Sequence, residues 1–95
     1  MNAKLGKIAQ TGDPQNEDDL TILLAGFFAE ELGIAEIDAD SHFLFLGADS
    51  MNVERLMEAI GRHFSIDLST DTILEAPTPR ALAQLIASKL ASRGD

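Results

Sequence analysis

Cysteine, tryptophan and tyrosine are absent from the 95-residue chain, and basic residues are few. Each absence removes a class of function. Without cysteine there is no disulfide framework, no thiolate nucleophile and no thiolate metal site. That agrees with a cytoplasmic protein. Seven Lys and Arg stand against sixteen Asp and Glu, a formal net charge of −9. Nucleic-acid binding needs a basic footprint, and anionic membrane surfaces repel an acidic chain, so neither partner is expected. No apolar run approaches the roughly 18 residues of a membrane span. The opening MNAKLGKIAQTGDPQNEDD has two lysines but lacks the apolar stretch of a signal peptide.

What is present is enough for one small domain. Hydrophobic residues make up 45% of the chain, so it is not a disordered polymer. The shortage of positive charge is local. Glu17 to Asp49 holds nine acidic residues and no Lys or Arg, whereas Ser50 to Asp95 holds six acidic against five basic. Such a run is either a solvated face or a surface that steers basic partners.

Hydrophobic spacing divides the chain. Residues 1–16 are polar, carry Gly12 and Pro14, and read as a flexible leader. Leu20, Leu23, Leu24, Phe27, Phe28 and Leu32 recur at helical spacing, with Glu17, Asp18 and Asp19 in the first turn and Gly33 as the stop. A long connection follows to Asp49. Its Ile34, Ile37, Phe43, Leu44, Phe45 and Leu46 call for burial, so it should pack across the helix ends. HFLFL has the composition of a strand, but it and SIDL together would make a poor sheet. A second helix starts near Ser50 with Val53, Leu56, Met57, Ile60 and Phe64 as its apolar stripe. TILEA is long enough for one turn of a short third helix. Thr78 and Pro79 announce a fourth, with Ala81, Leu82, Leu85, Ile86 and Leu90 inward and Lys89 and Arg93 near its C-terminal end. The expected fold is all-α: a small four-helix bundle, with three main helices, a short third one, and a long packed loop between the first two. The domain should span 17–91, with a tail at 92–95.

Catalytic signatures are missing. His42 and His63 have no metal-ligand partner at useful spacing and read as surface or half-buried side chains. Asp38, Asp40 and Asp49 fall at positions one, three and twelve of a calcium loop, yet the glycine that loop needs at its sixth position is Phe43. No elbow motif surrounds Ser50, there is no phosphate loop or dinucleotide fingerprint, and no base is evident to activate the serine. Ser50 itself stands at a telling place. Gly47 permits a sharp turn, Asp49 or Ser50 can cap the helix, and the free amides of a helix start favour a phosphate. A simple cap and an attachment point both remain open on this ground.

The stretch FLFLGADSMNVERLMEAIGRHFSIDLSTDTILEAPTPRALAQLIASKL resembles the carrier proteins of fatty-acid, polyketide and nonribosomal-peptide assembly. The Leu-Gly-x-Asp-Ser signature is matched by Leu46, Gly47, Ala48, Asp49 and Ser50, and ILEAPTPRALAQLI resembles the junction of the third and fourth helices. The resemblance covers about residues 17 to 91. It implies that a phosphopantetheinyl transferase attaches 4′-phosphopantetheine from coenzyme A to Ser50, flanked by Gly47, Asp49 and Met51. The arm's thiol would then hold acyl or aminoacyl cargo as a thioester, and the protein would do no chemistry itself. Its implied partners are that transferase, a loading enzyme, and downstream synthase or tailoring enzymes. Met51, Glu54, Arg55 and Leu56 are the expected docking residues, and the protein is expected to be a monomer. Two departures stand out. Met51 replaces the usual Leu or Ile, and Glu54 and Glu58 are offset by Arg55 and Arg62. The second favours a polyketide or peptide pathway over housekeeping fatty-acid synthesis. The Met start and polar leader fit a free-standing carrier, with a domain excised from a larger synthase as the alternative. The rival reading is a helical interaction domain without a prosthetic group; a hydrolase using Ser50 lacks a base.

Overall fold

The computed structural model describes residues 17–93. The expected leader, residues 1–16, lies outside the described residues, as do residues 94–95 of the expected tail and the Arg93 side chain. Among the described residues four α-helices run in the order α1 (Glu17–Leu32), α2 (Ser50–Phe64), α3 (Asp71–Glu75) and α4 (Pro79–Arg93). A 3-10 turn, Phe43–Leu46, interrupts the α1–α2 connection. Among the described residues there is no strand, so HFLFL winds rather than extends.

α1 packs most extensively on α4 and then on α2, while α3 leans on α2. The core follows the expected stripes. Leu20, Leu24 and Phe28 of α1 meet Val53, Leu56, Met57, Ile60 and Phe64 of α2, with Ile73, Leu82 and Ile86 closing the far side. Ala83 is fully buried as well, a position the spacing did not single out. Its small side chain sits on the inward face of α4, the main packing partner of α1.

Both long helices before the α3 region end on left-handed caps. Gly33 (φ 69°) closes α1, with the Ile34 amide donating to the Ala29 carbonyl (3.0 Å) and the Gly33 amide to the Glu30 carbonyl (3.3 Å). Ser65 (φ 57°) closes α2, and the Ile66 amide donates to the Gly61 carbonyl (2.9 Å). This fold-back brings the Ile66 carbonyl oxygen to 2.7 Å from where a Cβ on Gly61 would lie. Thr78 caps α4 as its sequence suggests, its Oγ1 accepting from the Ala81 amide at 3.1 Å, and Pro79 is the first helical residue.

The α1–α2 connection is packed, though not as its composition suggested. Phe43 alone is fully buried there, edge-on to Phe28 at 4.8 Å. Ile37 and Leu44 are half-buried, whereas Ile34, Leu46 and above all Phe45 (84% exposed) face outward. Four residues wound as a 3-10 turn point in different directions, so one aromatic can enter the core while its neighbour cannot. Backbone bonds hold the loop instead. The Phe43 amide donates to the Pro77 carbonyl and the Arg80 amide to the Ala39 carbonyl, both at 2.9 Å. The Arg80 guanidinium also grips the Asp40 carboxylate with two bonds, of 2.9 and 3.3 Å. That pairing holds the Asp40 carboxyl below its ordinary value and raises Arg80 above its own.

Candidate functional site

The site forms where the loop becomes α2. Gly47 adopts a left-handed conformation (φ 101°), and its amide closes the turn on the Leu44 carbonyl at 3.2 Å. Only a residue without Cβ takes that conformation without strain. Asp49 follows in extended geometry and is the N-cap. Its Oδ1 accepts from the Asn52 amide, and the Asn52 Oδ1 accepts from the Asp49 amide, each at 2.9 Å. This is a reciprocal capping box.

Asp49 therefore takes the capping role, and Ser50 is left outside it. Ser50 is the first residue of α2, is exposed, and its hydroxyl has no hydrogen-bond partner among the described residues. Intrahelical carbonyls do not reach the amides of Ser50 and Met51. An exposed, unengaged hydroxyl beside first-turn amides fits a phosphodiester: the oxygen is accessible and the local dipole favours negative charge. A nucleophilic role on its own is a different matter, since no base is hydrogen-bonded to Ser50 among the described residues.

The expected docking residues separate. Met51 is 59% exposed beside Ser50, and Glu54 and Arg55 are exposed on α2. Leu56 is not available: at 1% exposure it belongs to the core, and the expectation that it meets partners is corrected. It occupies the same helical stripe as Val53 and Ile60, which faces α1 and the bundle interior. Glu58 pairs with Arg62 one turn on, at 2.8 Å, on open surface. Below that pair an open groove of about 620 Å³ runs along Met57, Gly61, Ile66 and Leu68.

Three residues near the site escaped the sequence reading. Asn52 completes the cap, and the Asp49-x-x-Asn52 spacing was a legible signal for it. Glu31, at the end of α1, accepts from both Asn52 Nδ2 and Arg55 Nε at 2.9 Å. Nothing local announces a contact across 21 residues. Phe45, expected inside, stacks on His42 with centroids 4.0 Å apart and planes 13° apart. His63 touches Phe27 and Phe64 edge-on and is otherwise exposed. No cluster of His, Asp or Glu suited to a metal occurs among the described residues. Two of the three apparent calcium-loop acids are spent elsewhere, Asp40 on Arg80 and Asp49 on the cap. Among the described residues no helix is long and apolar enough to cross a membrane.

Comparison with known proteins gives consistent matches. A family model described as "Phosphopantetheine attachment site" matches residues 23–86. A probable non-canonical nonribosomal peptide synthetase, CymA of Salinispora arenicola, is 41% identical over 76 residues. That match takes in 80% of this chain and 1% of the synthetase. Among solved structures, the HMG-ACPI domain of the CurA module from Lyngbya majuscula superposes with a TM-score of 0.78 at 28% identity, covering 85% of this chain and 84% of that domain. BlmI, a type-II acyl carrier protein of Streptomyces verticillus involved in bleomycin biosynthesis, has the same fold. Its TM-score is 0.75 at 21% identity, over 85% of this chain and 98% of that one.

Proposed function

Because the chain belongs to the phosphopantetheine-attachment family and is a carrier domain, we propose that Ser50 bears the covalent 4′-phosphopantetheine and that residues 17–91 form the carrier unit. The leader 1–16 and tail 92–95 lie outside that unit. The observation that carries the assignment is the division of labour at the start of α2: Asp49 caps, and Ser50 stays exposed with its hydroxyl unengaged. Once bound, the arm supplies the thiol that holds acyl or aminoacyl groups as thioesters. The attachment step balances simply. Ser50 Oγ bonds to the pantetheine-side phosphorus of coenzyme A, the pyrophosphate P–O bond breaks, and adenosine 3′,5′-bisphosphate leaves. The hydroxyl proton passes to a base on the transferase, since no base is hydrogen-bonded to Ser50 among the described residues.

The working context we propose is a polyketide or nonribosomal-peptide assembly system in the cytoplasm. The chain spans a small fraction of its synthetase relatives, 1% of CymA, so the pathway comes from likeness alone. The partners are a phosphopantetheinyl transferase, a loading enzyme and downstream synthase or tailoring enzymes; the carrier is a monomer and performs no catalysis. Met51, Glu54 and Arg55 form the docking surface on α2, and the exposed Phe45 and Leu46 add apolar area just before Ser50 in the chain. Contacts of this kind are small and transient, because a carrier must release each partner. Replacing Met51 by Asp should raise the transferase KM for the carrier while the helical circular dichroism stays unchanged. An unaltered KM would remove Met51 from the docking surface.

The attachment test is intact mass. Apo protein incubated with coenzyme A and a broad-specificity transferase should gain one phosphopantetheine, and Ser50→Ala should gain none. An equal gain on both proteins would sink the assignment.

A further inference from the structure

One carboxylate on another helix reaches the cap of the Ser50 turn. Glu31 lies in the last turn of α1, where the helix dipole disfavours an acid and no basic residue of α1 offsets it. Its support comes from α2. The Oε2 atom accepts from Asn52 Nδ2 and from Arg55 Nε, both at 2.9 Å, and the Glu31 side chain is only 17% exposed.

The asymmetry of the asparagine amide gives this contact its consequence. A carboxylate only accepts hydrogen bonds, so Glu31 must be met by the NH2 end of Asn52. The Asn52 oxygen is thereby turned toward the Asp49 amide, which needs an acceptor and finds it at 2.9 Å. Without Glu31 the side chain loses one of the two hydrogen bonds that oppose its rotation by half a turn. Once rotated, its NH2 would oppose the Asp49 N–H, two donors face to face, and half of the capping box would be lost. The other half, the Asn52 amide to Asp49 Oδ1, depends on the same backbone geometry. Ser50 is the residue directly after Asp49, so its orientation follows from that geometry.

We infer that Glu31 is a positioning residue for modification of Ser50, acting through the Asn52 amide rather than through Arg55. The inference rests on the reading of Ser50 as the attachment serine. It assigns to the end of α1 a function that burial and charge alone do not suggest. A mere tie between α1 and α2 would change stability and leave the chemistry of the folded protein untouched. A positioning role predicts slower transfer onto a protein that is still folded.

The test measures coenzyme-A-dependent transfer by a broad-specificity transferase onto apo wild type, Glu31→Ala, Glu31→Gln, Asn52→Ala, Arg55→Ala and the two double variants. Glu31→Ala should lower kcat by roughly three- to tenfold, the factor that one lost hydrogen bond represents, with KM for the carrier little changed. Glu31→Gln retains an acceptor oxygen and should recover most of the rate. In the Asn52→Ala background Glu31→Ala should cost nothing further, whereas in the Arg55→Ala background it should keep its full effect. Amide hydrogen exchange gives a readout that needs no transferase. The Asp49 amide should exchange faster in Glu31→Ala, while core amides of α2 such as that of Ile60 keep wild-type protection. Equal kcat for Glu31→Ala and wild type would overturn the inference. So would a loss confined to KM, losses that multiply with Asn52→Ala, or unchanged exchange at Asp49. Should wild type itself accept no phosphopantetheine, the Ser50 reading fails instead, and the exchange measurement still decides whether Glu31 sets the cap.

Discussion

Asp49 and Ser50 are neighbours with opposite duties, and the site depends on their staying separate. Asp49 spends its side chain on the backbone of α2; Ser50 spends its own on nothing within the described residues. Replacing Asp49 by Ala should destabilise the protein by about 1 kcal/mol in urea unfolding, the usual worth of an N-cap. The same variant should slow phosphopantetheine transfer while far-ultraviolet circular dichroism stays helical. A rate equal to wild type would mean that the cap does not set the serine. At this scale the sequence was legible wherever chemistry was local. A cap at Asp49 or Ser50 and the glycine turn at Gly47 follow from letters within a few residues of Ser50, whereas Met51 was singled out by the family resemblance. Glu31 was not legible, because its partners lie across the fold. Leu56 was misplaced because a position in an apolar stripe and a position on a docking face compete, and packing against α1 wins.

Among the elements, the joints matter more than the helices. Gly61 sits where the chain folds back beneath α2, and the Ile66 carbonyl oxygen leaves no room for a Cβ at 2.7 Å. Backbone, unlike a flexible side chain, cannot move aside cheaply. Gly61→Ala should therefore destabilise by roughly 1–3 kcal/mol despite the better helix propensity of Ala, read as a lower midpoint in urea unfolding. The joint between the loop and α4 responds to pH. Arg80 lowers the Asp40 pKa in the folded protein, so the pair contributes stability above the ordinary Asp value of 3.8 and loses it as pH falls below that value. Wild type should melt slightly above Asp40→Asn at neutral pH, with the difference vanishing in acid. Both groups are open to solvent, and added salt should shrink the difference too. A difference that persists well below that pH would assign the effect to something other than the ion pair. The four helices were readable from spacing and caps. The loop was not, because its composition demands burial while a 3-10 turn admits only Phe43.

Across the whole molecule, charge is distributed as unevenly as structure. The acidic run of Glu17 to Asp49 covers α1 and the loop that leads to Ser50, and the first basic residue after it, Arg55, is engaged with Glu31. Partners with basic surfaces should be drawn to that side. Raising salt from about 0.05 to 0.5 M should lower kcat/KM for transfer onto the carrier several-fold with little change in kcat; a flat salt profile would assign the run to solubility alone. The bundle and the attachment serine were both within reach of the sequence, the first through hydrophobic period and the second through the LGADS stretch. The cargo leaves no comparable trace, since the core pattern serves to hold the fold and not to contact what the arm carries. The central claim is that the arm sits on Ser50, and site mapping of the modified protein tests it most directly. Digestion at Lys and Arg gives one peptide from Ile8 to Arg55 that contains both Ser41 and Ser50. Fragmentation of that peptide should place the whole phosphopantetheine on Ser50, and an adduct on Ser41, on any other serine, or on none would contradict the account.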